Sequence, residues 1–441
     1  MTSFSRRTLL TGAAAGAGLV IAQPLLGRFP FADAAQLKKP GTRPNPHLPE
    51  GMDLLPQIEH IVVVMMENHS FDSYFGMLGR GDGFHLGRDG QPTNACPDAN
   101  GQLVRSYHSP STCQANYHVG QAWDTSHRSW NYGKNDGFVT ASSTDAMAYW
   151  TGNDIPFYYD LARTFPLCDR YFASVMAQTY PNRRFLLAAT AAGQVSDPFP
   201  GVNDPPPPTG TIFDHLNAHG ITWKDYFVDL PTTGLFPSII KQNPGNVVPI
   251  ADFFVDAAAG TLPNYSMVDP DGFYASEENP QDIRAGEFYA AQVINAVMSS
   301  PAWPRTVLVF TYDEHGGYYD HVAPRRTVAP DNIAPSVPAG DTYGDLYTYT
   351  GFRVPTVVVS PFAKRKYVSH VVHDHTSILR LVETKWNLPA LTYRDANASN
   401  LLDCLDLTAD EPPFAQPPAL VSAPAPTGTP ACIAADPHSP V

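Results

Sequence analysis

The chain has 441 residues, 16% of them charged, and a formal net charge of −14. So acidic a surface argues against nucleic acid as a partner and offers no general attraction to anionic membranes. No apolar run beyond the first 34 residues reaches the ~18 residues needed to span a bilayer, so at most a peripheral membrane contact is expected.

Residues 1–34 open on Ser5, Arg6, Arg7, Thr8, Leu9 and Leu10, run through a small apolar stretch from Thr11 to Ala22, and close on Ala32, Asp33 and Ala34. A basic start, a short apolar segment and an A-x-A site mark an export leader, and the paired arginines point to the twin-arginine route. The expected location is therefore secreted, cell-surface or periplasmic. Loss of Arg6, Arg7, Arg28 and Asp33 with the leader leaves a net charge of −16. Residues 35–57 are Pro-rich and polar and read as an N-terminal arm.

The run Ile61–Met66 is apolar without alternation, which predicts a strand buried on both faces of a parallel sheet. It stops at Glu67 and Asn68. Ligand crevices in open α/β sheets lie beyond the carboxyl ends of strands, and a carboxylate beside an amide oxygen suits a hard divalent cation. A solvated strand end with an Asn turn would look the same. From Arg80 to about Thr151 the pattern is irregular and rich in aromatic residues, which predicts a long ordered insertion over the crevice. Its aromatics from Trp123 to Trp150 read as insertion core, with a cage for a quaternary ammonium as the alternative.

Regular α/β alternation follows. Helices are expected over Asn182–Ala192 and Thr211–His219, and strands over Ile221–Tyr226 and Tyr265–Val268, the latter ending at Asp269. The pattern continues with a helix over Ile283–Met298, strands over Val307–Phe310 and Pro355–Val359, and a helix over Asp374–Trp386. Residues 408–441 are Pro/Ala-rich and read as a flexible tail. The cysteines are Cys96, Cys113, Cys168, Cys404 and Cys432; Cys96–Cys113 and Cys404–Cys432 are candidate local bridges, with connectivity left open.

A second acidic pair, Asp313 with Glu314, follows the strand at Val307–Phe310, and converging carboxylates repel unless a cation lies between them. His315 to Val322 adds glycines, Asp320 and His321 beside that pair. Thr179 stands just ahead of a helix that Pro181 can open, where free amides favour an anion. A threonine hydroxyl becomes a competent nucleophile when metal coordination lowers its pKa, although the residue could equally be an ordinary helix cap. Arg183 could hold a phosphoryl oxygen or form a salt bridge. Asn182 and Asp320 are the candidate substrate-binding residues of these two stretches.

ENHSFDSYFG, TYPNRRF, TYDEHGGYYDHV, RVPTVVVSPFAK and HDHTSILRLVE occur in that order. Together they resemble the bacterial phosphoesterase family of phospholipases C and acid phosphatases, within the alkaline-phosphatase-like superfamily, over residues 58–407. The resemblance implies an α/β fold with a mostly parallel central sheet, helices on both faces, and the insertion over the active site. It implies Glu67, Asn68, Thr179, Asp313 and Glu314 as ligands of one divalent metal ion, which could be calcium, zinc or manganese. It further implies Thr179 as nucleophile, a phosphothreonine intermediate, retention at phosphorus, and His127 (in SHRSWN), His321 and His375 at the phosphoryl group. Glu278 stands where relatives carry a histidine, which leaves the leaving-group acid without an assignment. The substrate is then a phospholipid or a small phosphoester. The rival readings are an acid phosphatase of the same family, a sulfatase-like hydrolase, disfavoured because threonine cannot become the aldehyde, and a non-catalytic metal-binding surface protein. Oligomeric state is not legible, and His85, His108, His118, His215, His219, His370 and His373 stay unassigned.

Overall fold

The computed structural model describes residues 37–426 apart from 338–342 and 345–346, together with Cys432. The leader read over residues 1–34 lies outside these. The strand expected at 61–66 forms as β1 (His60–Met66), buried from Ile61 onward. The insertion carries two minor ladders, β2 (Ala95–Pro97) with β3 (Leu103–Arg105) and β4 (Tyr107–His108) with β5 (Ala148–Tyr149). The main sheet continues with β6 (Leu167–Cys168), β7 (Trp223–Phe227), β8 (Val247–Pro249), β9 (Tyr265–Val268), β10 (Thr306–Tyr312), β11 (Val357–Val359) and β12 (Val368–Ser369).

Its order is β12-β6-β11-β10-β1-β9-β7-β8, and every neighbour pairing is parallel except those made by β11. The sheet is thus mostly parallel, as the unbroken apolar runs require. β1 lies between β9 and β10, with Val64 in register with both Val268 and Phe310. Their carboxyl ends therefore deliver Glu67, Asp269 and Asp313 to one edge of the fold.

The helices are α1 (Phe71–Phe75), α2 (Trp123–Trp130), α3 (Phe138–Ala141), α4 (Pro156–Thr164), α5 (Thr179–Ala188), α6 (Ile212–Ala218), α7 (Pro237–Gln242), α8 (Ile250–Ala259), α9 (Ile283–Met298), α10 (His375–Trp386) and α11 (Tyr393–Ala396). Those of the α/β core fall into two packed groups, α5 with α6, α10 and α11, and α4 with α8 and α9. Several start where a side chain can satisfy free amides. Thr211 and Asp214 form a capping box at α6, and Asp374 with Ser377 does so at α10. The helix expected over Asn182–Ala192 starts earlier, at Thr179, and stops at Ala189, which turns into the left-handed region at φ 57°.

Two expectations need correction. Cys113 is bonded to Cys432, so neither local bridge forms; Cys96 and Cys404 are buried thiols. The described start of the tail is anchored rather than loose at Phe414, which is buried against Phe165 and whose carbonyl accepts from Trp303 Nε1 at 3.0 Å. The arm read over residues 35–57 packs on the core, where Asn387 Nδ2 donates to the carbonyls of Asn45, Leu48 and Pro49.

Candidate active site

Chain reversal after β1 brings Asn68 into the left-handed region, φ 65°, and its amide donates to Asp313 Oδ1 at 3.1 Å. The turn after β10 closes on the same residue: a side chain on Gly316, itself at φ 64°, would collide with the Asn68 carbonyl. Only glycine lets these two backbones approach so closely. Thr179, the first residue of α5, donates from Oγ1 to Asn68 Oδ1 at 3.4 Å. Asn68, Thr179, Asp313 and Glu314 thus belong to one buried cluster, with the partly exposed Glu67 at its edge.

Arg183, one turn into α5, runs through its centre. Nε donates to Asp313 at 3.1 Å, Nη2 to Glu67 at 3.1 Å and to Met65 O at 3.3 Å, and Nη1 to Asp269 at 3.3 Å and Thr232 Oγ1 at 2.8 Å. One guanidinium does not balance the acids. Burial raises Glu67 to about 7 against the pull of Arg183, with Asp313 raising it further. Asp197, whose Oδ1 accepts from Tyr180 N at 2.8 Å, is raised to about 7 by burial as well. Burial and the nearby acids push Glu278 and Glu314 well above the usual carboxylate range, while Glu278 hydrogen-bonds the Asn68 side chain.

This donor set fits a divalent cation. It comprises carboxylates, an amide oxygen and a hydroxyl, all hard oxygen ligands. Glu314 Oε2 accepts from Gly316 N at 2.8 Å and meets His315 Nδ1 at 3.0 Å, yet Oε1 is buried without a hydrogen-bond partner. A buried, unpartnered carboxylate oxygen among other acids is an unsatisfied demand for positive charge. A second acidic group, Asp72 with Asp320 and His321, could also be read as a metal site. There Arg353 already supplies the charge, donating from Nε to Asp320 Oδ1 at 2.8 Å and from Nη2 to Asp72 Oδ1 at 3.0 Å.

Comparison with known proteins places the chain in a family. The profile of the Phosphoesterase family matches residues 58–389. The chain belongs to that family. The non-hemolytic phospholipase C of Pseudomonas aeruginosa is 30% identical over 88% of this chain and 61% of its own length, so the present phosphoesterase spans less than two thirds of that relative. Phospholipase C A of Mycobacterium tuberculosis is 29% identical, over 82% of this chain and 79% of its own. For the non-specific phospholipase C1 of Arabidopsis thaliana the figures are 33%, 77% and 69%. Among solved structures, a protein in the alkaline phosphatase superfamily from Vibrio parahaemolyticus superposes with a TM-score of 0.37 at 9% identity, over 75% of this chain and 77% of that one.

Not every candidate of the phosphoesterase lies in the cluster. All five N–H donors of Arg183 are directed at protein acceptors, so the salt-bridge reading holds over the phosphoryl one. Asn182 faces inward: Nδ2 donates to Val175 O, Ala177 O and Gln178 O, and Oδ1 accepts from Val175 N at 3.0 Å. It fixes the loop that leads into Thr179 and leaves no group for substrate. Asp320 and His321 sit in the Arg353 network, where His321 Nδ1 meets Asp72 at 2.6 Å and Nε2 meets Asp82 at 3.3 Å. His375 Nε2 donates to the backbone carbonyl of Asp313 at 2.6 Å, a positioning contact. His127 donates from Nδ1 to Trp123 O at 2.7 Å, and Trp123 packs with Val175 and Ala177 ahead of Thr179.

Three members of the cluster were missed from sequence. Asp269 ends a short apolar strand, the same signal that singled out Glu67. Glu278 was noticed only as a departure. Asp197, in a loop of Gly, Gln, Val, Ser and Pro, carries no signal of its own. It also takes the place of the anion expected at the start of α5.

Proposed function

We propose that this chain is a metal-dependent phosphoric ester hydrolase of the phospholipase C type, with Thr179 as its nucleophile. The observation that carries the reading is the Thr179 hydroxyl, held 3.4 Å from Asn68 Oδ1 inside a buried group of carboxylates with one guanidinium among them. Glu67, Asn68, Thr179, Asp313 and Glu314 would hold one divalent cation, which when bound offsets their charge and that of the phosphoryl oxygens and makes the threonine hydroxyl more acidic. The chain's own residues set the geometry. Asn68 orients the hydroxyl, Asn182 fixes the loop before it, and His375 fixes the Asp313 backbone. Thr179 oxygen bonds to phosphorus as the alcohol leaves with a proton; water then cleaves the phosphothreonine and restores the hydroxyl, so two inversions give retention. His127 is the remaining candidate for contact with the phosphoryl group. The phospholipid substrate is supported by the relatives' names, and export from the cytoplasm by the composition of residues 1–34.

The test is metal analysis of the purified protein, followed by phosphatidylcholine and a soluble aryl phosphate assayed with the bound ion restored. Release of phosphocholine supports the proposal. Turnover of the aryl phosphate alone would make the chain a phosphomonoesterase, and normal metal content without turnover of either would make it a binding protein.

A further inference from the structure

Among the described residues, six of the fifteen exposed large apolar side chains lie on three loops at the carboxyl edge of the sheet: Phe199, Val202, Val228, Leu230, Phe273 and Tyr274. Phe199 is 74% and Val202 78% exposed. Single exposed apolar residues mean little, but a group rimming one site marks an interaction surface.

The loops are tied to one another and to the candidate site. Phe199 meets Tyr180, the neighbour of Thr179, edge to face, with ring centroids 6.1 Å apart. Its loop also supplies Asp197. Residues 228–232 follow β7, and Thr232 donates to Asp269 and accepts from Arg183. Residues 269–278 follow β9, and Gly272 N donates to Asp229 Oδ1 at 3.0 Å, joining the second loop to the third. The apolar tips therefore surround the approach to the acidic cluster.

We propose that these three loops dock the protein onto an electroneutral phospholipid bilayer. The inference rests on the phospholipid reading above and names the surface that would serve it. Charge selects the partner: residues 197–204, 228–232 and 269–278 contain Asp197, Asp204, Asp229, Asp269, Asp271, Glu277 and Glu278 and no Lys or Arg. Anionic lipids are gathered by basic clusters, which these loops lack. Aromatic side chains suit the head-group layer of a zwitterionic bilayer, where one end of the ring can stay wet. A symmetric dimer through this face would set the acids of one copy against those of the other.

The experiment compares the parent with a Val202→Ser, Leu230→Ser, Tyr274→Ser triple variant, one change per loop, in the presence of the divalent ion. Flotation with phosphatidylcholine vesicles reads docking without reference to turnover. The expected result is a partition coefficient at least tenfold lower for the variant, with unchanged thermal midpoint and unchanged turnover of soluble substrate. Equal flotation of parent and variant, flotation of neither, or stronger binding of phosphatidylglycerol vesicles would overturn the proposal. So would a concentration-dependent dimer in light scattering that the triple variant abolishes, which assigns the face to a second copy. A parent that docks on phosphatidylcholine in the variant-sensitive way yet releases no phosphocholine upholds the docking surface and defeats the substrate reading.

Discussion

Thr179 can be tested without disturbing the fold. It is the first residue of α5, while the cap position belongs to Gln178 and makes no side-chain cap. Thr179→Ala should lower kcat by at least about a thousandfold, as loss of a nucleophile does, with stability changed by about 1 kcal/mol or less. Activity assays beside a denaturant titration check both halves, and an active variant removes Thr179 from the mechanism. Glu277 makes a different prediction. It is buried and accepts from Tyr74, Tyr158 and Tyr312. Burial raises it from 4.5 to about 8, against the pull of the Tyr158, Tyr74 and Tyr312 hydrogen bonds. The folded state therefore keeps this proton where the unfolded chain has lost it. Its contribution is fully present below pH 4.5 and is lost as pH rises to about 8, by up to about 1.4 kcal/mol per pH unit. Glu277→Gln stays neutral, so its stability measured across that window should decline less than the parent's.

At the scale of elements, α5 matters less for its length than for how its first turn is held. Asn182 reaches back to the loop of residues 175–178, and its removal strands buried carbonyls. Asn182→Ala should cost about 1–3 kcal/mol and should lower kcat well beyond what that destabilisation explains at saturating folded protein. Equilibrium unfolding and steady-state kinetics on the same preparation separate the two effects. The elements that sequence made plain share one property. β1, β10 and α9 are runs whose period is set by burial, and the pairs Glu67–Asn68 and Asp313–Glu314 were legible because a charge directly after such a run is conspicuous. What stayed hidden depends on contacts between distant segments. The two residues of β6 carry no pattern of their own, Asn182 looks like a ligand group until its partners are seen, and Phe414 becomes an anchor only beside Phe165 and Trp303.

For the whole molecule, Arg353 is the joint between motifs. Fully buried, it binds Asp72 after β1 and Asp320 after β10 from the segment that precedes β11. Arg353→Leu leaves these carboxylates without their cation and should destabilise the protein by about 3–5 kcal/mol, read as a lower midpoint in denaturant. A change below about 1 kcal/mol would show that another cation holds Asp72 and Asp320. The placement of β1 carries a further consequence. Its two neighbours, Tyr265–Val268 and Thr306–Tyr312, are made long after it. During synthesis the segment HIVVVMM, almost free of charge and prone to extended structure, must wait with both edges unpaired. Pairing across so long a loop is slow, so incomplete chains are the form most at risk of clumping. Chaperones that shield the first strand until the later ones arrive should therefore raise the soluble yield of this chain, which expression with and without added chaperones would check.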